Sequence, residues 1–301
     1  MRFSGDAVRE SEKKTMEMES NVKTIRVGDR ILDLSRPAVM AIVNVTPDSF
    51  FAGSRTAEAG AVRERVRRAV AEGASIIDVG GYSSRPGAAD VPAEEELRRV
   101  SLAVEAVRDE YPETLVSVDT FRASVAEGVM ARFGPCIVND ISAGELDSGI
   151  MEVAACYGVP YIAMHMRGTP ADMQGRTAYG DIVGEVAGYL AGRLEAARRA
   201  GVRDVVLDPG FGFAKTTAQN YELLGGMREI AALGCPLLAG ISRKSMIYKV
   251  LDTVPEEALN GTTALHWECL RQGADLLRVH DVAQAVEVVR LFGFYREHGN
   301  I

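Results

Sequence analysis

Cysteine is scarce in this 301-residue chain: Cys136, Cys156, Cys235 and Cys269 stand far apart, with no C-x-x-C pair among them. That spacing argues against a disulfide framework or a zinc site and leaves reduced thiols as the expectation. No apolar run approaches the roughly 20 residues that a membrane-spanning helix needs. The opening stretch, MRFSGDAVRESEKKTMEMES, has no apolar core of the kind a secretory signal carries. Residues 1–21 are therefore expected to form a loosely ordered extension ahead of one folded domain at 22–301, and the protein to be cytoplasmic. Positive charge is outnumbered, 34 Lys and Arg against 42 Asp and Glu, for a net charge of −8. No electrostatic footprint for nucleic acid or an anionic membrane surface results, so neither is expected as a partner. An anionic substrate would have to be caught by local cations working against the overall field. Low-complexity tracts are absent as well.

What the chain does contain is a repeating pattern. Short apolar runs recur at Val39–Val43, Ser75–Val79, Leu115–Val118, Cys136–Val138, Pro160–Met164, Val205–Leu207, Pro236–Ala239 and Leu276–Val279. Each is followed by a longer stretch, several of which read as amphipathic helices, and the spacing is that of strand–helix units. Residues 57–72, for example, place Ala61, Val62, Val66, Ala69 and Val70 at helical spacing before Gly73. Residues 181–200, 255–272 and 281–297 read the same way. Continuous rather than alternating apolar runs suit parallel strands buried on both faces. Eight such units predict a single (β/α)8 TIM barrel of the α/β class. The open doubly wound alternative lacks a G-x-G-x-x-G after its first strand.

Polar residues gather at one end of these runs. Asn44, Asp78, Asp119, Asn139 with Asp140, His165, Asp208, Ser242-Arg243-Lys244 and Arg278 with His280 all lie at or just past a strand's carboxyl end. In a barrel those ends share one rim, where active sites of this fold are built. Carboxylates there accept side-by-side hydrogen bonds from a heterocycle's N–H and amino groups, and Asn139 suits an edge of mixed polarity. Asp208 is expected to contact ligand, whereas Asp78 is equally consistent with bracing a loop. Arg243, Lys244, Arg278 and His280 form a second, cationic group after strands seven and eight, where barrels often bind phosphate. Two Gly-, Pro- and Ser-rich loops, 44–50 and 80–87, are expected to act as lids that exclude water and bring Arg85 to a leaving group. His165 is open between a structural and a functional role.

The segments NVTPDSF, DVGGYSSRPGA, VDTFR, IVNDISAG, MHMRGTP, LDPGFGFAKT, GISRKS and RVHD resemble, in this order, the signature stretches of the dihydropteroate synthase family. The resemblance implies a transferase in folate biosynthesis that joins a dihydropterin CH2–diphosphate to 4-aminobenzoate with loss of pyrophosphate, with Mg2+ as cofactor, a homodimer and sulfonamide sensitivity. It implies that Asp119, Asn139, Asp208 and Lys244 hold the pterin, with Met164 and Phe213 against its ring. Asn44 would bind the metal–pyrophosphate, and Arg278 and His280, with Ser84, the phosphoryl oxygens. Phe50, Ser84, Arg85, Pro86 and Ser245 would build the aminobenzoate pocket. Asn44, Lys244, Arg278 and His280 are the catalytic candidates. Two positions depart from the commoner family pattern: Tyr82 stands where Glu is usual, and Ser84 where Thr is. A pterin-binding methyltransferase domain, or a non-catalytic pterin-binding homologue, would share the acids; the methyltransferase would need no diphosphate site.

Overall fold

The computed structural model describes residues 23–45, 55–83 and 90–299. The expected extension at 1–21, Phe50 of the first loop and Ser84, Arg85 and Pro86 of the second lie outside the described residues.

Eight parallel strands form the barrel: β3 (Ala38–Asn44), β4 (Ile76–Gly80), β5 (Leu115–Asp119), β6 (Ile137–Asp140), β7 (Tyr161–Met164), β8 (Val205–Asp208), β9 (Leu238–Ala239) and β10 (Leu276–Val279). They pair in the order β8-β7-β6-β5-β4-β3-β10-β9, and a parallel bridge between Leu207 and Leu237 closes the ring. All eight expected runs are strands. The helices between them include α1 (Arg55–Ala71), α2 (Ala93–Glu110), α3 (Ala123–Phe133), α4 (Gly149–Cys156), α5 (Ile182–Arg199), α6 (Thr217–Gly225), α7 (Met227–Ala231), α8 (Ser245–Tyr248), α9 (Leu259–Arg271) and α10 (Val282–His298). Asp181 caps α5, accepting a hydrogen bond from the Gly184 amide at 3.0 Å. The apolar face of α1 is narrower than its spacing suggests: Val62, Val66 and Ala69 are buried while Ala61 is exposed. Among the described residues no helix is long and apolar enough to cross a membrane.

Side-chain parity along the strands sorts the apolar runs into two cores. Val39, Ala41, Ile77, Val79, Val116, Val118, Val138, Leu277 and Val279 point outward and pack with the helices. Met40, Ile76, Leu115, Ile137, Ile162, Val206, Leu238 and Leu276 point inward and form one layer across the barrel floor.

An N-terminal hairpin, β1 (Thr24–Val27) with β2 (Arg30–Asp33), was not anticipated from the sequence. Its two-residue turn places Gly28 at φ +64, where a side chain is disfavoured. Ile25 and Val27 join Leu34 against the floor layer, each burial contributing about 1.5–3 kcal/mol. Lys23 pairs with Asp275 at 2.7 Å, and the Arg26 amide donates to Asp204 at 2.8 Å. The hairpin therefore caps the amino end of the barrel, opposite the mouth formed by the carboxyl ends of the strands.

Candidate active site at the barrel mouth

One register step above the floor layer, the inward positions turn polar. Asp78 on β4 is opposite Ser117 on β5, Asn139 lies on β6, Asp208 on β8 faces Met164 on β7, and Arg278 lies on β10. The same two-residue period that buries Ile76, Ile137, Val206 and Leu276 inward carries these side chains inward too. Asp140 and His165 have the opposite parity and point toward the helices.

Arg278 links the two acids. Its Nε lies 2.6 Å from Asp78 Oδ2 and its Nη2 2.5 Å from Asp119 Oδ2. Asn139 Nδ2 donates to both Asp78 oxygens at 3.2 Å. Asp78, with no exposed surface, thus braces the side chains of Asn139 and Arg278. The expectation of separate acidic and cationic groups on the rim does not hold. β10 pairs directly with β3 and lies two strands from β4, so a long Arg side chain reaches across to the acids. Burial raises the Asp119 carboxyl pKa against the opposing pull of Arg278, with the Asp78 charge adding to the rise. Burial also opposes charge on Arg278, but Asp78 and Asp119 outweigh it and keep the guanidinium protonated. Ser117 Oγ is buried beside this group without a partner among the described residues.

The other wall is built on the turn after β8. Asp208 is buried and accepts the Gly210 amide at 2.8 Å. Gly210 sits at φ +69, and a Cβ there would run into the His165 carbonyl oxygen. Lys244 donates to the Phe211 carbonyl, with its Nζ 4.8 Å from the centre of the Phe213 ring. Burial lowers the Lys244 pKa to about 8, with Asp208 pulling upward. Met164, Met166, Met173, Ile141 and Ala214 form an apolar cluster against which Phe121 and Phe213 pack. Polar groups therefore stand beside an apolar shelf, the combination that holds a flat heterocycle.

Asn44 completes the inner rim: a Cβ on Gly80 would lie 3.2 Å from Asn44 Oδ1 and 3.5 Å from the Asp119 Cβ. His280 lies past β10, with Nδ1 3.1 Å from Ser242 Oγ; burial first, then Arg278, lowers its pKa to about 4, so the ring is neutral. Ser245 opens α8 half-buried.

Three strand-end residues serve elsewhere. Arg243, at φ +55, pairs with Asp281 through Nε and Nη2, both at 2.8 Å, and donates to the Pro255 carbonyl; it braces the loop instead of joining the cationic group. Asp140 accepts from Tyr161 Oη at 2.7 Å and from the Ser142 and Gly144 amides, fixing the turn after β6. His165 takes the structural role: its Nδ1 is 2.9 Å from Lys215 Nζ, and Tyr189 packs edge-on at 4.9 Å.

Lys215 escaped the sequence reading. Nearly fully buried, its Nζ bonds the Gly210 and Phe213 carbonyls at 2.8 and 2.9 Å as well as His165. Three acceptors around one ammonium clamp the turn that carries Asp208 and Phe213. Its place in the GFGFAKT segment was the available signal. Tyr82 is likewise explained: its ring is edge-on to Phe121 at 5.2 Å and 5.3 Å from the Arg122 guanidinium. Arg122 also pairs with buried Glu96 at 2.5 Å. The aromatic face thus holds by cation–π attraction an arginine whose carboxylate partner comes from α2.

The description "Pterin binding enzyme" matches residues 40–280 of this chain. The dihydropteroate synthase of Escherichia coli strain K12 is 43% identical over 262 residues, 86% of this chain and 92% of that protein. Dihydropteroate synthase from Xanthomonas albilineans, solved with 4-aminobenzoic acid, superposes with a TM-score of 0.85 at 40% identity, covering 91% of this chain and 98% of that one. The same enzyme in complex with 7,8-dihydropteroate gives a TM-score of 0.81 at 37% identity, again covering 91% and 98%.

Proposed function

The chain belongs to the dihydropteroate synthase family of pterin-binding enzymes, and on that premise we propose how its own residues serve the family's transferase reaction. The substrates would be 7,8-dihydropterin-6-ylmethyl diphosphate and 4-aminobenzoate, and the products 7,8-dihydropteroate and pyrophosphate. The pterin edge meets Asp119, Asn139 and Asp208, with Lys244 beside Asp208, while the ring lies on Met164 and Phe213. Carboxylates that accept paired N–H donors would leave buried acceptors unpaired with a ring lacking those donors, and this selects the pterin. Asp78 contributes by aiming Asn139 and Arg278.

At the leaving group, Arg278 has two of its five N–H donors on Asp78 and Asp119, so the remainder can meet phosphoryl oxygens. His280 adds a neutral donor. Among the described residues no three acidic, histidine or cysteine side chains gather into a metal cage. Asn44 nonetheless offers one hard amide oxygen beside Asp119, and Mg2+ usually keeps water and substrate phosphate as most of its ligands; the donor fits that role. Bound there, Mg2+ would neutralise charge on the departing diphosphate. The chain's residues fix the pterin's methylene toward the mouth, and loss of pyrophosphate precedes attack by the amine, so no protein nucleophile is required. Phe50, Ser84, Arg85, Pro86 and Ser245 would close around the aminobenzoate and exclude water.

The observation that carries this reading is the single connected polar group Asn139–Asp78–Arg278–Asp119 at one mouth, opposite Asp208 and Lys244 over an apolar shelf. It favours the synthase over a pterin-binding methyltransferase domain, which needs no diphosphate site and so no arginine beside Asp119. Incubating the purified protein with pterin diphosphate, 4-aminobenzoate and Mg2+ should release pyrophosphate and form dihydropteroate. Sulfonamides should compete with the amine. Absence of turnover with intact pterin binding would favour a non-catalytic homologue.

We assign the protein to the cytoplasm, consistent with four free thiols, and a homodimer as its assembly. Leu291, Phe294 and Tyr295 on α10, 64%, 66% and 45% exposed, with Val250 and Leu251 past α8, leave large apolar side chains on the outer helices that a second copy could cover.

A further inference from the structure

Ser242 lies in the turn after β9, buried, and belongs to none of the roles assigned above. Its Oγ is 3.1 Å from the backbone N of His280 and 3.1 Å from His280 Nδ1. Counting protons decides what those contacts are. The backbone N–H can only donate, so it occupies one lone pair of Oγ. The hydroxyl hydrogen then needs an acceptor, and His280 Nδ1 is the one that Ser242 reaches among the described residues. A neutral imidazole that accepts at Nδ1 carries its proton on Nε2. Nε2, on the far side of the ring from Ser242, has no partner among the described residues.

We propose that Ser242 is a positioning residue for the transfer reaction: its hydroxyl donates to His280 Nδ1 and fixes the tautomer whose Nε2–H points at the leaving diphosphate. The other tautomer would turn a lone pair toward an anion and repel it. Charge around the ring supports a neutral form. Burial acts first, and Arg278 two residues earlier, Arg65 from α1 and Arg243 from the β9 turn add to it, against the opposing charge of Asp281. Arg65 Nη2 also donates to the His280 carbonyl at 2.8 Å, which holds the backbone while Ser242 sets the ring.

The inference rests on the diphosphate reading of His280 for its purpose, but the tautomer itself can be tested separately. In protein carrying 15N-labelled histidine, with His280 assigned by loss of its signals in His280→Gln, long-range 1H–15N correlation should show a protonated Nε2 and an unprotonated Nδ1, unchanged from pH 6 to 8. Ser242→Ala should mix the tautomers while the ring stays neutral, and Ser242→Thr should restore the wild-type pattern. A protonated Nδ1 in the wild type, or an Ala variant with unchanged signals, overturns the proposal. Pyrophosphate affinity by calorimetry at pH 8 should fall about tenfold in Ser242→Ala, the scale of one hydrogen bond to a charged group, and recover in Ser242→Thr. Correct tautomer signals with unmoved pyrophosphate affinity would overturn the diphosphate reading of His280 and leave the Ser242 lock standing.

Discussion

Replacing Arg278 with methionine would remove the guanidinium while keeping most of the side chain's length and apolar volume. Asp78 and Asp119 would then share the mouth without the cation now 2.6 and 2.5 Å from their oxygens. Breaking a buried ion pair from one side costs about 3 to 5 kcal/mol, and because one cation serves two acids the upper part of that range is expected at pH 8. The loss should shrink in acid. A carboxyl whose folded pKa lies above its unfolded value, as for Asp119, leaves stability intact below the unfolded value near 4 and subtracts from it as pH rises toward the folded value. Without Arg278 the folded value moves higher still, so the loss at pH 5 should be smaller than at pH 8 by about 1 kcal/mol or more, the worth of roughly one pKa unit. Urea unfolding can be followed by Trp267, the sole tryptophan, which packs on Phe292 and Tyr295. Adding Asp119→Asn to the variant should recover part of the loss at pH 8 and little at pH 5. An equal loss at both pH values would refute the idea that Arg278 neutralises two acids.

Asp208→Asn replaces an acceptor pair with a mixed donor and acceptor, so pterin affinity should fall by about 1.5–3 kcal/mol; unchanged binding by calorimetry would remove the recognition argument. Gly210→Ala puts a Cβ onto the His165 carbonyl at positive φ, and a cost of about 1–3 kcal/mol in stability together with a raised KM for the pterin diphosphate is expected, the aminobenzoate KM moving less. Lys215→Met should disturb the same turn and weaken pterin binding, and an unaltered KM would show that the clamp is dispensable. His266 is buried with neither ring nitrogen partnered among the described residues, and burial lowers its pKa to about 4. Its contribution is therefore complete above the ordinary value near 6.5 and lost as pH falls from there to about 4, roughly 3 kcal/mol in all; His266→Leu should flatten that part of the stability curve, and an unchanged slope would reject the assignment.

Much of the architecture could be read along the chain because it is local. Strand runs bounded by turn residues, helices with apolar spacing, and polarity confined to strand ends each depend on neighbours within a few residues, and so the barrel and its active rim were evident without coordinates. The hairpin at 24–33 has a local signature too, since Ile25 and Val27 alternate with polar residues before Gly28-Asp29. Side-chain parity was harder: β4 and β8 are buried on both faces, so apolar runs carry no alternation to show which residue looks inward. Asp140 and His165, both at strand ends, have the parity that points outward, and the unbroken apolar runs before them give no sign of it.

What only closure of the barrel decided is who meets whom around the ring. Arg278 and Asp78 are 200 residues apart, and nothing local in DVGG or RVHD says that one guanidinium will bridge two acids. That contact exists because β10 pairs with β3, next to β4, which brings the barrel's last strand back to its first. Local sequence sets the chemistry each strand end carries; the angular order of the strands sets which chemistries face one another, because hydrogen bonds and ion pairs act over a few ångströms of space and are blind to distance along the chain.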